Sequence, residues 1–232
     1  MISNYRGYFF LFVVIFLSAC GNSQQKSNND ANSTTDSSQN LGQKETKTKN
    51  ILFFGNSLTA GYGLDSPTDA FPGLIQKKID SLNLPYTCIN AGLSGETSAG
   101  GNERIDWLLK NPVDIFILEL GANDGLRGVS PSTTFNNLSS IVEKVKKAYP
   151  SCQLVLAGML VPPNVGKSYY EDFKEIFPRL SEKYDMKLIP FLLQDVAGNS
   201  NLNQGDGIHP TQEGQIIVTE NVWKVLSPLL DN

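Results

Sequence analysis

The chain has 232 residues, 40% of them hydrophobic, and a formal net charge of −4. This length and composition fit one medium-sized domain with additional segments, and the absence of a concentrated basic tract argues against a nucleic acid partner. His209 is the single histidine of the sequence, which excludes a metal site built from several imidazoles.

The N-terminus predicts an exported protein. Arg6 precedes the apolar run GYFFLFVVIFL, which is too short for an ordinary membrane-spanning helix but typical of a signal peptide. The sequence LSAC at positions 17–20 resembles the lipobox of bacterial lipoproteins, which implies cleavage after residue 19 and attachment of lipid to Cys20. The alternative is a plain signal peptide, over residues 1–19, followed by an incidental cysteine.

Residues 20–49 are rich in Ser, Asn, Gln, Thr and Lys, and Leu41 is their one large aliphatic residue. Such a segment cannot bury a core, so we expect a solvated tether behind the lipidated Cys20. The resemblance to lipoproteins implies a lipid-anchored protein of the cell envelope. Gly21 is not the aspartate associated with retention in the inner membrane, so the outer membrane is favoured.

From residue 50 to residue 232, short apolar runs alternate with segments of helical period. The strand candidates are NILFF (50–54), YTCIN (86–90), VDIFILEL (113–120), CQLVLAGM (152–159) and MKLIPFL (186–192). Their nearly unbroken apolar character predicts strands that are buried on both faces, as in a parallel sheet.

Five segments carry apolar residues at helical spacing: 71–82, 100–110, 135–145, 168–184 and 211–230, the last with Thr211 as its cap. The alternation predicts an α/β fold, a three-layer α/β/α sandwich around a five-stranded parallel sheet with flavodoxin-like strand order 2-1-3-4-5. In that order Cys88 and Cys152 lie three strands apart, roughly 14 Å, which exceeds the span of a disulfide. We therefore expect two free, buried thiols.

Two short motifs contain candidate catalytic residues. Ser57 follows the first strand in GNSLTAGYG, and Asp206 and His209 are three residues apart in DGIHP. One turn can place a carboxylate against the imidazole, and a serine with such a pair forms a catalytic triad. Taken singly, each motif has a structural alternative: Gly55-Asn56 can close a turn, and the Asp/His pair can cap a helix.

Together the motifs resemble the GDSL family within the SGNH hydrolases, over roughly residues 50–230. The four blocks of that family match Gly-Asn-Ser-Leu at 55–58, Gly92 in NAGLSGETS, Gly-Ala-Asn-Asp at 121–124 and Asp-Gly-Ile-His at 206–209. ELGANDGLRG and GDGIHP are most similar to the branch of thioesterase I, arylesterase and lysophospholipase L1 enzymes.

The resemblance implies roles for individual residues. Ser57 is the expected nucleophile, His209 its base and Asp206 the residue that orients His209. The oxyanion is expected to receive hydrogen bonds from the backbone N–H groups of Ser57 and Gly92 and from the side-chain amide of Asn123. This chemistry requires no metal and no organic cofactor.

Three other polar residues near these motifs require an interpretation. Asn56 stands where the family usually has aspartate, and we expect it to preserve the hydrogen bonds of the loop and to tune only the pH dependence. Glu119 and Asp124 flank the site, but neither shares the local geometry of Asp206, so both are interpreted as structural.

The favoured function is a serine esterase of the arylesterase, lysophospholipase or acyl-thioesterase type, acting on an acyl ester, thioester or lysophospholipid as a monomer. Leu160 and Val161, with LSGETS and the first loop, are expected to form its apolar acyl site. One alternative is a carbohydrate or peptidoglycan O-acetylesterase. Another is a non-catalytic, ligand-binding surface lipoprotein, which Asn56 alone supports.

Overall fold

A computed structural model describes residues 48–230 of the chain. The predicted signal peptide, Cys20 and all but the last two residues of the predicted tether lie outside the described residues. Within the described range, none of the helices is long and apolar enough to cross a bilayer.

The described strands form one parallel sheet in the order β2-β1-β3-β4-β5, which confirms the predicted arrangement. Their bounds are β1 Lys49–Gly55, β2 Tyr86–Gly92, β3 Ile115–Glu119, β4 Gln153–Ala157 and β5 Lys187–Ile189. Residues 51–54 of β1 and all residues of β3 are at most 2% exposed. Both faces of these central strands are therefore covered, as their unbroken apolar sequence predicts.

Helices cover the sheet in two groups. Their bounds are α1 Ser57–Ala60, α2 Phe71–Ser81, α3 Ser98–Leu108, α4 Ala122–Leu126, α5 Pro131–Ala148, α6 Lys167–Lys174, α7 Ile176–Tyr184 and α8 Gln212–Leu226. α2 and α8 pack against each other, and α5 packs against both α3 and α7. With the sheet between the two groups, the domain is the expected three-layer α/β/α sandwich.

The predicted helix over 168–184 is two helices in the structure. α6 ends at Lys174 and α7 begins at Ile176. Pro178 has no N–H to donate to the carbonyl of Lys174, so the hydrogen-bond ladder is interrupted at that point. In the first turn of a new helix the missing N–H costs little, because it would have no partner there in any case.

Cys88 and Cys152 are free thiols, as predicted, but they are partly rather than fully buried. Cys88 lies on β2 and Cys152 immediately precedes β4, so β1 and β3 separate them. Burial raises the pKa of each thiol to about 12, with a smaller contribution from Asp80 to Cys88 and from Asp114 to Cys152. Both thiols therefore stay protonated at neutral pH, a form that is a poor nucleophile.

The register of the sheet brings three loops together. Gly55, the last residue of β1, pairs with Gly92 of β2 and with Glu119 of β3. Because parallel strands end at one edge of the sheet, the loops that follow β1, β2 and β3 meet there. This edge is where a doubly wound sheet places its ligand sites.

Candidate active site

Ser57 is held at the tip of a tight turn between β1 and α1. Asn56 caps α1, since its Oδ1 accepts the N–H of Leu58 at 2.9 Å. Ser57 is thereby the first residue of the helix, a position whose N–H has no intrahelical acceptor. A side chain on Gly55 would collide with Thr59 and Glu119. Glycine is thus required for the strand to pass directly under the helix.

The structure brings Ser57, His209 and Asp206 together as a hydrogen-bonded triad. His209 Nε2 lies 2.8 Å from Ser57 Oγ, and His209 Nδ1 lies 2.6 Å from Asp206 Oδ2. The other oxygen, Asp206 Oδ1, accepts the backbone N–H groups of Ile208 and His209, each at 3.0 Å. Asp206 is therefore fixed by its own loop while it orients the imidazole.

Hydrogen bonds keep the carboxyl group of Asp206 ionised. The bond from the His209 side chain, followed by the N–H of Ile208, lowers the pKa of Asp206 from 3.8 to about 2. An ionised carboxylate can hold the Nδ1–H tautomer of His209, which leaves Nε2 free to accept the proton of Ser57.

Gln204 braces the histidine loop against the serine loop, a role that the sequence analysis missed. Its Nε2 donates to the carbonyl of Tyr62 at 2.7 Å and to that of Pro210 at 2.9 Å. Its backbone N–H donates to the carbonyl of His209 at 2.7 Å. The Tyr62 ring lies 4.7 Å from the imidazole, measured between centroids. No spacing rule identifies such a brace, because its partners are 142 and six residues away.

Glu119 and Asp124 are both buried, and neither contacts His209. Glu119 accepts hydrogen bonds from Asn56 and Thr59. Asp124 accepts the N–H of Ser98 at 2.8 Å and its hydroxyl at 2.5 Å. The structure thus leaves Asp206 as the carboxylate bonded to the histidine.

Gly92 does not occupy the place expected of an oxyanion donor. Its N–H donates to Asn90 Oδ1 at 3.0 Å, and Gly92 does not line the cavity beside Ser57. A side chain at position 92 would collide with the backbone of Thr59 and Ala60. The glycine therefore allows α1 to pack closely on β2.

Gly95 lies three residues further along the same loop. It lines the cavity together with Ser57 and Asn123, and its φ of +81° favours glycine. Within residues 48–230 its N–H has no hydrogen-bond acceptor. Asn123 Nδ2 donates to the carbonyl of Glu96 at 3.0 Å, which ties the amide to this loop. The sequence analysis named only Gly92, because both glycines stand in the block NAGLSGETS and nothing in their spacing distinguishes them.

A cavity of about 660 Å³ opens beside the triad. Its wall includes Leu160 and Val161, and Ser94 and Gly95 of the LSGETS loop, as expected. Residues 191–198, between β5 and α8, contribute a part of the wall that the sequence analysis missed. The apolar lining side chains include Leu126, Leu160, Val161, Pro162, Phe191, Leu193 and Ile208.

Among the described residues, no cluster of three or more His, Cys, Asp or Glu side chains could hold a metal ion. The polar groups that line the cavity include the hydroxyl of Ser57, the imidazole of His209 and the carboxamide of Asn123, together with backbone N–H groups. This set can carry out acyl transfer from within the chain.

Comparisons with known proteins agree with this geometry. The model of the GDSL-like Lipase/Acylhydrolase family matches residues 53–216. Esterase TesA of Pseudomonas aeruginosa is 37% identical over 181 residues, 78% of this chain and 89% of that protein. Thioesterase 1/protease 1/lysophospholipase L1 of Escherichia coli K12 is 37% identical over 183 residues, 78% of this chain and 85% of that protein.

A solved structure extends the likeness to three dimensions. The psychrotrophic esterase EstA from Pseudoalteromonas sp., inhibited by monoethylphosphonate, superposes with a TM-score of 0.74 at 34% identity, covering 79% of this chain and all of that one. The family match spans more than half of the chain, and its relatives exceed 30% identity over most of their length. The chain therefore belongs to the GDSL-like lipase/acylhydrolase family and is a serine esterase, a carboxylic ester hydrolase of the SGNH type.

Proposed function

We propose that this esterase hydrolyses acyl esters and thioesters through an acyl-enzyme on Ser57. His209 Nε2 takes the hydroxyl proton as Ser57 Oγ bonds to the carbonyl carbon. The bond from that carbon to the leaving oxygen or sulfur then breaks as His209 returns the proton to the leaving group. A water molecule then gives a proton to His209 Nε2 as its oxygen bonds to the acyl carbon. The bond from that carbon to Ser57 Oγ breaks, His209 returns the proton to Oγ, and the carboxylic acid leaves. The 2.8 Å contact between Nε2 and Oγ is the observation that carries this proposal.

The proposed oxyanion donors are the backbone N–H groups of Ser57 and Gly95 and the amide of Asn123. All three residues line the cavity, and the first two N–H groups have no acceptor within residues 48–230. Gly95 replaces Gly92 in this role because the N–H of Gly92 is already bonded to Asn90. Loss of one such donor typically lowers turnover by roughly 10² to 10³.

The cavity favours acyl groups longer than acetyl. A mostly apolar space of about 660 Å³ gains little from an acetyl group, whereas an alkyl chain can displace its water. The names thioesterase and lysophospholipase borne by one relative support the same substrate class. No feature of the described residues favours the O-acetylesterase alternative.

Hydrolysis of p-nitrophenyl acetate, octanoate and palmitate tests this substrate class. We expect kcat/KM to rise at least about tenfold from acetate to octanoate, because each buried methylene contributes up to about 0.8 kcal/mol. Ser57→Ala, the matched control, should lose all three activities. Activity confined to the acetate would contradict the proposal and favour the O-acetylesterase.

We also propose that lipid on Cys20 anchors the enzyme in the cell envelope, with its site facing the periplasm or the surface. The apolar run followed by LSAC supports this localisation, as does the polar composition of residues 21–49. Expression of the full chain in a bacterial host, with fractionation and mass spectrometry of the N-terminus, tests it. An unmodified Cys20 in the soluble fraction would contradict it.

A further inference from the structure

A buried carboxylate lies directly beneath the nucleophile turn. Glu119, at the end of β3, is 1% exposed, and both its oxygens accept hydrogen bonds from residues that flank Ser57. Oε2 accepts the N–H of Asn56 at 3.0 Å and the hydroxyl of Thr59 at 2.8 Å, and Oε1 accepts Asn56 Nδ2 at 2.8 Å. All three donors belong to the turn that presents the nucleophile.

The side chain of Asn56 bonds in two directions at once. Nδ2 donates to Glu119, while Oδ1 accepts the N–H of Leu58 at 2.9 Å and contacts Ser57 Oγ at 3.4 Å. An amide offers both a donor and an acceptor, whereas a carboxylate offers only acceptors. The arrangement fixes the orientation of the amide. If the amide were flipped, its oxygen would face the carboxylate of Glu119 and its NH₂ group would face the N–H of Leu58.

No cation balances Glu119 within residues 48–230. α1 and β4 carry no titratable side chain. Titratable side chains of nearby elements bond to other groups: Arg104 to Glu96, Asp124 to Ser98, His209 to Asp206, and Arg127 to the carbonyl of Gly95. Burial raises the pKa of Glu119 to about 7, and the hydrogen bonds from Thr59 and Asn56 act in the opposite direction because they stabilise the carboxylate.

We propose that Asn56 and Glu119 form a matched amide–carboxylate pair, in which Glu119 is a positioning residue that holds Ser57 against His209. The contact joins one carboxylate and one amide, and exchanging the two groups keeps that complementarity. In this chain the amide is supplied by asparagine, which stands where the family motif has aspartate. The inference rests on the proposed function of Ser57.

Exchanging the amide of Asn56 and the carboxylate of Glu119 tests whether the two residues act as a matched pair or independently. In Glu119→Gln the side chain can no longer accept on both sides, so one buried donor of the turn loses its partner. In Asn56→Asp two carboxyl groups face each other and must share one proton. In the double variant, the amide introduced at position 119 donates to the carboxylate introduced at position 56. The oxygen of that amide accepts the N–H of residue 56 and the hydroxyl of Thr59.

The test measures kcat and KM for p-nitrophenyl octanoate against pH in the wild type, both single variants and the double variant. We expect Glu119→Gln to lower kcat about tenfold or more with little change in KM. Asn56→Asp should lose activity at alkaline pH, where the pair gives up its shared proton. The double variant should recover kcat to within about threefold of the wild type. It should also keep its activity at alkaline pH, so that the alkaline limb of the pH profile, the fall in kcat seen in Asn56→Asp, is absent.

Glu143→Gln is a matched control, since it makes the same change on α5, where the carboxylate bonds to Tyr184 rather than to the turn. Circular dichroism and Tm establish that each variant is folded. If Glu119→Gln does not fold, the alkaline limb of Asn56→Asp and its removal in the double variant still decide the question.

Two other results distinguish failure of the matched pair from failure of the proposed esterase function. A double variant no better than the worse single variant, with an active wild type, overturns the matched pair alone. A folded wild type that does not hydrolyse esters and does not react with a fluorophosphonate overturns the proposed function itself.

Discussion

Asn56 keeps the hydrogen bonds of the nucleophile turn. Its oxygen caps α1 at Leu58, and the adjacent Ser57 still lies 2.8 Å from His209 Nε2. The departure from the aspartate of the motif therefore leaves the triad assembled, which removes the single feature that favoured a non-catalytic role. Its expected effect on the pH dependence of turnover stays a prediction.

Asp206 provides a test of the triad at the level of one side chain. Asp206→Asn should lower kcat by about 10³ to 10⁴, because the amide no longer holds the Nδ1–H tautomer of His209. The folded-state pKa of about 2 lies below the ordinary 3.8, so folding favours the ionised form. This contribution to stability is present above pH 3.8 and is lost as the pH falls towards 2.

Urea unfolding of the wild type and Asp206→Asn between pH 2 and pH 5 checks this sign. The difference in the free energy of unfolding should be largest at pH 5 and should shrink towards pH 2. A difference that grows as the pH falls would contradict the proposed ionisation of Asp206.

The packing of α1 on β2 separates two glycines that look equivalent in the sequence. Gly92→Ala should lower Tm, because its Cβ would collide with the backbone of α1 at Thr59 and Ala60. In Gly95→Ala the new Cβ would meet only Arg127 Nη2, at 3.8 Å, which is an ordinary contact, but the φ of +81° is strained. The variant should therefore fold and lose kcat through a displaced N–H.

Thermal unfolding and kcat measured on both variants check these opposite effects. Gly128→Ala is a suitable control, since this glycine also has a positive φ, but it has open space around its Cβ and does not line the cavity. If Gly92→Ala lost turnover at an unchanged Tm while Gly95→Ala kept full activity, the assignment of the oxyanion donor to Gly95 would be wrong.

The elements differ in how well the sequence predicts them, for physical reasons. β1 and β3 are buried on both faces, and α5 carries one long apolar stripe, so their patterns are unambiguous. α1 has four residues and α4 has five, which is too short for a helical period to show. Neither short helix was predicted, although together they position Ser57 and Asn123.

The whole molecule determines what the catalytic residues can act on. The cavity is built from the loops that follow all five strands, the last of which connects β5 to α8. Its lining residues extend along the sequence from Asn56 to His209. Motif spacing predicts that Ser57, Asn123 and His209 converge, because the ends of parallel strands share one edge. It cannot predict Gln204 or residues 191–198, because their roles depend on the packing of loops without regular structure.

The central claim is that Ser57 becomes acylated, and covalent labelling tests it most directly. Full-length protein is incubated with a fluorophosphonate probe, and intact mass and peptide mapping locate the adduct. We predict one adduct on Ser57 of the wild type and none on a folded Ser57→Ala variant. A folded wild type that remains unlabelled, or a Ser57→Ala variant labelled to the same extent, would contradict the account.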